Sequence, residues 1–240
     1  MTPDIVIVSR CHEGLVRVRN EDCVWTGSTA SGHAAAVVAD GMGGLMSGDL
    51  ASEVAVHSAR RQLQGTDLSL EEVVLEAGTR VTEAAADRGQ QGQMGTTLLV
   101  WRSCADGAEF AHVGDSRLYT WHREELQQVS VDHSVTQRLL NMGQITPQQA
   151  MFHDQRHVLT QALGLEHYLQ PQCGRLPLVE RTLLCSDGLS DMVGPAKLAD
   201  LLATQDPQMC AAELLKAALD EGGRDNVSLV LIDDPRASGQ

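Results

Sequence analysis

In five places along the 240-residue sequence an apolar run stops at a carboxylate beside glycine or another turn former. These are VVADGMGG with Asp40, RNEDCV with Glu21 and Asp22, AHVGDSR with Asp115, LLCSDGL with Asp187 and GGRDNVSLV with Asp225. One acid at a strand end is an ordinary turn residue. Five in one chain are different, because strand ends on one rim of a sheet converge in space even when far apart in sequence. Converging carboxylates push one another's pKa values upward unless something neutralises them. Divalent cations do so, and Mg²⁺ and Mn²⁺ prefer oxygen ligands and keep several waters.

The glycines after Asp40 fit the same chemistry. Gly41 lets the chain turn sharply and offers its carbonyl oxygen as a further ligand, while Gly43 and Gly44 keep side chains away from an ion and its substrate. A cation pair about 3.5–4 Å apart suits phosphate-ester hydrolysis, since it activates a water near neutral pH and holds it in line with the leaving oxygen. The substrate's phosphoryl oxygens need a separate positive anchor. Arg17, four residues before Glu21, has the forked guanidinium for it. On an extended strand positions 17, 19 and 21 share one face, so Arg17 and Glu21 point into one cleft. Spacing alone leaves Arg19 open as a second candidate.

The elements that must carry these residues alternate in type. IVIV, CVWTG and AAAVVAD read as early strands. Ala51, Val54, Ala55, Ser58 and Ala59 recur at helical spacing. Ser69-Leu70-Glu71-Glu72 is a capping box ahead of a helix whose apolar face is Val73, Val74, Ala77, Val81 and Ala84. TTLLVW, AEFAHV and RLYTW are short strands between turn signals. Thr146-Pro147 caps a short helix over QQAM. TLLCSD is a strand, LADLLA and AAELLKAAL are helices, and NVSLVLI is a closing strand. Strands in runs beside consecutive helices argue for α+β layers rather than a doubly wound sheet. No linker, repeat or low-complexity block divides the chain. A single domain over residues 1–234 is expected, followed by a flexible tail at 235–240.

Composition narrows the function. The formal charge of −14, from 32 acidic against 18 basic residues, repels phosphate backbones and disfavours nucleic acid as a partner. Aromatic content of 3% calls for an aliphatic core. The six cysteines are scattered without a CxxC, which argues against a disulfide framework or a structural zinc site. No segment approaches the ~20 apolar residues of a membrane span. The expectation is a soluble cytoplasmic protein, and nothing requires more than a monomer.

GLVRVRNED, VVADGMGG, GTTLLV, HVGDSRLY, DHSV, GQIT, ALG, CSDGLSD and RDNVS occur in an order that resembles the metal-dependent protein phosphatases of the PPM (protein phosphatase 2C) family, in their compact bacterial branch. Each stretch alone is weak; together they cover about residues 9 to 232. The resemblance implies a four-layer α-β-β-α sandwich, with two central antiparallel sheets flanked by helices and a two-metal site at one end. It implies hydrolysis of phosphoserine and phosphothreonine in proteins with Mn²⁺ or Mg²⁺, two per site, with a third, weaker ion in bacterial relatives. By position Asp40 resembles the bridging ligand and Gly41 its neighbouring carbonyl ligand. Glu21 corresponds to a ligand of the second metal, partly through water. Asp187 and Asp225 correspond to ligands of the first, and Asp115 to a ligand of the third, with Asp187 shared. Arg17 corresponds to the phosphate-contacting arginine. Leu139 to His157 matches the flap beside the active site. The implied partners are a phosphorylated protein and, as in bacterial signalling, a Ser/Thr kinase whose action is opposed.

Two departures stand out. Met42 occupies a position where some members carry a histidine proposed as general acid, so the resemblance assigns no proton donor. The flap reads HDQRH where relatives often have His-Pro-x-Arg-Asn.

Other signals read more plainly. His153 and His157 have the spacing of a zinc-binding helical pair, but Asp154 follows the first and no third ligand is evident, so a surface loop pair is expected. Asp132-His133-Ser134 holds the three residue types of a triad, yet neighbours in sequence cannot form its relay. A turn into the helix VTQRLLNMG, capped by Ser134, is expected instead. Cys185 reads as a buried strand cysteine. Two rival functions are a phosphoprotein-binding module of the same fold, against which the full set of acids argues, and a phosphatase of small molecules.

Overall fold

The computed structural model describes residues 4–42, 47–165 and 168–239. Among them run the strands β1 (Val6–His12), β2 (Asp22–Ser28), β3 (Ala34–Met42), β4 (Gly95–Thr96), β5 (Leu98–Cys104), β6 (Gly107–Val113), β7 (Arg117–His122), β8 (Glu125–Gln128), β9 (Gln172–Pro177), β10 (Arg181–Cys185) and β11 (Val227–Asp233). The helices are α1 (Gly48–Gly65), α2 (Leu70–Asp87), α3 (Val135–Asn141), α4 (Pro147–Met151), α5 (Asp187–Ser190), α6 (Pro195–Leu202) and α7 (Pro207–Asp220).

Two antiparallel sheets result. One has the order β1-β11-β10-β7-β8; the other has the order β2-β3-β5-β6-β9, with β4 paired to β3. The alternation of side chains along a strand separates three cores. Ala35, Val37 and Ala39 of β3 pack with Ala51, Ala55 and Ala59 of α1 and Val73, Val74, Ala77 and Val81 of α2. The intervening Ala36 and Val38 pack with Leu99, Trp101 and Phe110 of their own sheet and with Leu118, Leu184, Val230 and Ile232 of the other. On the far side Leu183, Cys185, Leu229 and Leu231 pack against Leu198 and Leu202 of α6 and Leu214 and Ala218 of α7. The layers therefore follow α-β-β-α, as the resemblance implied. Because the central strands are covered on both faces, they read as continuous apolar runs rather than alternating ones.

The expected elements form, with their caps. Ser69 Oγ accepts from Glu72 N, and the Glu72 carboxylate accepts from Ser69 N at 2.9 Å. Thr146 and Gln149 make the same reciprocal pair at the start of α4. Ser134 caps α3 by accepting from Gln137 N at 3.2 Å. β8 and β9 were not expected. Both are sheet edges with largely exposed residues, so neither carries an apolar pattern.

The segment expected to fray after Asp234 begins instead with a 3₁₀ turn over Pro235–Gly239. Arg236 fastens it, with its guanidinium donating to Asp234 at 2.6 Å and to the Cys104 carbonyl at 2.9 Å.

Candidate metal centre

β2 and β3 pair so that Asp22 lies opposite Asp40 at one end of the sandwich. The backbone of Asp40 is fixed from β4 and the start of β5. Its N–H donates to Thr97 Oγ1 at 2.9 Å, while its carbonyl accepts from Thr97 N and from Thr96 Oγ1, both at 2.9 Å. Thr97 Oγ1 in turn meets Ser116 Oγ at 2.7 Å. The paired threonines of GTTLLV thus hold this end of β3 by one backbone and two hydroxyl hydrogen bonds.

Gly41 N donates to the Glu21 carbonyl at 3.1 Å. A β-carbon on Gly41 would run into the Gly48 carbonyl, so this glycine is required by the close approach of α1. Gly48 opens α1, and a β-carbon on it would run into the Glu21 carboxylate. Burial raises the Glu21 pKa first, and Asp49 adds to the effect. Gly43 and Gly44 lie outside the described residues.

Asp187 and Asp225 come from the opposite sheet. Asp187 is the first residue of α5, separated from β10 by Ser186 alone; Asp225 precedes β11. A β-carbon on Gly188 would strike the Asn226 carbonyl, so a glycine is needed to bring these two segments together. Asp225 Oδ1 accepts from Asn226 N at 2.8 Å, and its Oδ2 accepts from Arg17 Nη2 at 2.7 Å. Asp115 sits in the turn between β6 and β7, after Gly114 at φ +112. His133 grips that turn twice: its N–H donates to the Gly114 carbonyl at 2.7 Å, and its Nδ1 accepts from Gly114 N at 3.2 Å. Asp132 meanwhile takes the Arg117 guanidinium, at 2.7 Å from Nη2. The DHSV stretch is therefore a brace for the Asp115 turn as well as the entry to α3.

The acids do converge. Loss of solvent pushes the Asp40 carboxyl well above the usual carboxylate range, and Asp22, Asp187, Asp115 and Asp225 each push it further. Asp187 is raised well above that range by burial and then by Asp115, Asp191, Asp225 and Asp22. Burial, then Asp132, lifts Asp115 to about 7. Asp22 is lifted to about 6, again by burial first. Its Oδ2 accepts from Ser186 Oγ at 2.8 Å, but its buried Oδ1 has no partner. An orphaned carboxylate oxygen among mutually repelling acids fits a hard divalent cation and its waters.

A model of the family described as protein phosphatase 2C matches residues 12–221. The chain belongs to the protein phosphatase 2C family. Among its relatives is the protein phosphatase PhpP of Streptococcus pneumoniae, 33% identical over 91% of this chain and 93% of the relative. The crystal structure of the Mycobacterium tuberculosis serine/threonine phosphatase PstP/Ppp superimposes with a TM-score of 0.87 at 32% identity, covering 95% of this chain and 98% of that one. The catalytic domain of PstP in complex with two manganese ions superimposes with a TM-score of 0.85 at 30% identity, covering 95% and 97%.

In this phosphatase 2C chain the path to Arg17 differs from the expected one. Residues 13–21 form a loop, not an extended strand, so shared strand facing does not place Arg17. Gly14, at φ +81, turns the chain, and Leu15 N donates to the Gly223 carbonyl at 2.7 Å. Asn226 then binds the loop at three points. Its amide oxygen accepts from Glu21 N, and its Nδ2 donates to the Glu13 and Arg19 carbonyls, all at 2.8 Å. Arg17 thereby reaches Asp225, whereas Arg19 is exposed and contributes its carbonyl.

Several residues of the site escaped sequence reasoning. In the sequence Asp22 is only one of two adjacent acids. Asn226, Thr96, Thr97 and Ser186 lie inside the motifs that carry the resemblance, yet nothing in their types alone signals a positioning role. His153 Nδ1 accepts from Gln155 N at 3.1 Å in a local turn, and His157 points elsewhere, towards Asp191. Cys185 is fully buried in β10, and burial pushes its thiol up to about 12.

Proposed function

We propose that this chain hydrolyses phosphoserine and phosphothreonine in proteins at a carboxylate-bound pair of Mn²⁺ or Mg²⁺ ions. The observation that carries the reading is the cluster of Asp22, Asp40, Asp115 and Asp187, acids raised by burial and mutual repulsion around one end of the sandwich. Family membership and the named activity of the relatives support it.

Asp40 would bridge the two cations, Gly41 would offer its carbonyl, and Glu21 would serve the second. Asp187 and Asp225 would hold the first. Asp115 would contribute to a third, with Asp187 shared. The bound ions supply Lewis acidity and an activated water at neutral pH. Arg17 binds and orients the phosphoryl oxygens through its forked N–H groups; its side chain is half exposed, so it can reach substrate. Thr96, Thr97 and Asn226 keep the ligand-bearing segments in place. Met42 has no proton to give, so no side chain at that position serves the leaving oxygen.

The loop that carries Arg17 also exposes Leu15, Val16 and Val18. Apolar side chains beside the phosphate anchor suit a peptide flanking the phosphorylated residue, and a small phosphomonoester has no use for them. This favours a protein substrate over a small molecule. The protein acts as a single domain over residues 1–234, with the end of α3 and all of α4 in the flap near 139–157, and opposes a bacterial Ser/Thr kinase in the cytoplasm. No helix among the described residues is long and apolar enough to cross a membrane.

The test is hydrolysis of a phosphothreonine peptide and of p-nitrophenyl phosphate, with Mn²⁺, with Mg²⁺ and with EDTA. Metal-dependent turnover with higher kcat/KM on the peptide is expected. A folded protein inert with every metal would overturn the reading, and preference for the small ester would move it to small-molecule substrates.

A further inference from the structure

α5 is a single turn with an acid at either end. Asp187 opens it and Asp191 closes it, the Asp191 N–H donating to the Asp187 carbonyl at 2.8 Å. Their i,i+4 spacing sets both carboxylates on one side of the turn. His157 approaches from the flap, with Nδ1 3.6 Å from Asp191 Oδ2. His157, Asp187 and Asp191 each present a ligand atom, and all three atoms lie within 4.8 Å of one another. Two ligands at about 2.1 Å from one ion lie at most about 4.2 Å apart, so small side-chain rotations close the set around a cation.

Charge points the same way. Asp115 adds a third negative group close to Asp187 and Asp191. Of the nearby arginines, Arg117 is already taken by Asp132 through both Nε and Nη2, and Arg17 by Asp225. Among the described residues no lysine or arginine pairs with Asp187 or Asp191. The backbone beside His157 is held: Val135 N donates to the Val158 carbonyl at 2.9 Å, and Ser134 bridges Leu159. The imidazole is half exposed, which leaves it open to an arriving ion.

We infer that His157 is a direct cation ligand together with Asp187 and Asp191, so that one ion ties the flap to the acid-bearing turn α5. This rests on the metal-dependent reading above, because Asp187 is shared with it. The site takes a nitrogen and two carboxylates. That donor set favours Mn²⁺, Co²⁺ or Zn²⁺ over Mg²⁺, which holds to oxygen and water. Flap position then depends on which cation is present.

The experiment uses the full chain and Mn²⁺ alone. Binding is followed by loss of the free-ion EPR signal, and pulsed EPR reads ¹⁴N coupling from a coordinated imidazole. Wild type, His157→Ala and His157→Gln are compared. Wild type is expected to show nitrogen coupling that both variants lose. Their weakest Mn²⁺ site should drop in affinity by about tenfold or more, at least what loss of an outer-shell partner costs, with Mg²⁺ affinity changed less. Absence of nitrogen coupling in Mn²⁺-loaded wild type, or its persistence in both variants, overturns the inference and reduces the His157–Asp191 contact to an ion pair. Tight Mn²⁺ binding indifferent to His157 removes this inference alone. No Mn²⁺ binding by wild type removes the metal-dependent reading with it.

Discussion

Asn226 accepts the Glu21 backbone N–H at 2.8 Å, and the two residues stand at opposite ends of the chain. With its two Nδ2 bonds to the Glu13 and Arg19 carbonyls, this one buried amide sets the loop between β1 and β2 against the start of β11. Three net hydrogen bonds at about 0.5–1.5 kcal/mol each put the cost of Asn226→Ala at about 2–4 kcal/mol. Asn226→Asp keeps the acceptor and loses both donors, so it should also be destabilising. Urea denaturation with peptide kinetics checks this. Loss of kcat/KM larger than the stability loss alone explains is expected, because Arg17 and Glu21 ride on the loop.

The hydroxyl of Thr97 holds Asp40 from one side and Ser116 from the other. Thr97→Val keeps the shape but leaves the Asp40 N–H without its partner. A buried donor left unsatisfied costs about 1–3 kcal/mol. Turnover at saturating Mn²⁺ should fall, and the Mn²⁺ concentration needed for half-activity should rise. Thr97→Ser should restore most of both. A defect in Thr97→Ser with Thr97→Val unimpaired would mean that the methyl group, not the hydroxyl, matters.

Arg17 is the proposed phosphate anchor, not a cation ligand. Arg17→Ala should raise KM for the phosphopeptide while Mn²⁺ affinity, measured by calorimetry, stays within a few fold. An equal loss of Mn²⁺ affinity would contradict that division of roles.

Raised carboxyl pKa values make the metal-free fold sensitive to alkali. Asp22 titrates at about 6 and Asp115 at about 7 in the folded chain, against about 3.9 when unfolded. Between those values the folded state keeps protons that the unfolded state has lost. Their contribution to stability is therefore full below about pH 4 and declines as pH rises through 6 and 7. In EDTA the thermal midpoint should fall between pH 5 and pH 7.5. Mn²⁺ at about a hundred times its dissociation constant adds about 2.7 kcal/mol, or about 5–10 °C for a chain of this size. Scanning calorimetry at several pH values checks both slopes.

The acids were legible because Asp40, Asp187 and Asp225 each adjoin an apolar run, and buried runs of that kind have few other uses for a carboxylate. Asp22 was harder, since Glu21 and Asp22 are adjacent and only the β2–β3 register shows that Asp22 faces Asp40. The sandwich itself came through the resemblance: pattern separates strands from helices but does not pair β7 with β10 or β1 with β11. β8 and β9 were illegible because exposed edge strands bury too little to impose a pattern. The strand argument for Arg17 failed at Gly14, whose left-handed backbone turns the segment into a loop. His153 and His157 looked paired by helical spacing. Residues 153–157 form turns instead, which leaves His157 to face Asp191.

The central claim is that Asp40 bridges two cations. Anomalous diffraction from crystals grown in Mn²⁺ tests it most directly. Two strong peaks about 3.5–4 Å apart, both within bonding distance of the Asp40 carboxylate, are expected. A single peak, or peaks that leave Asp40 uncoordinated, would contradict the account.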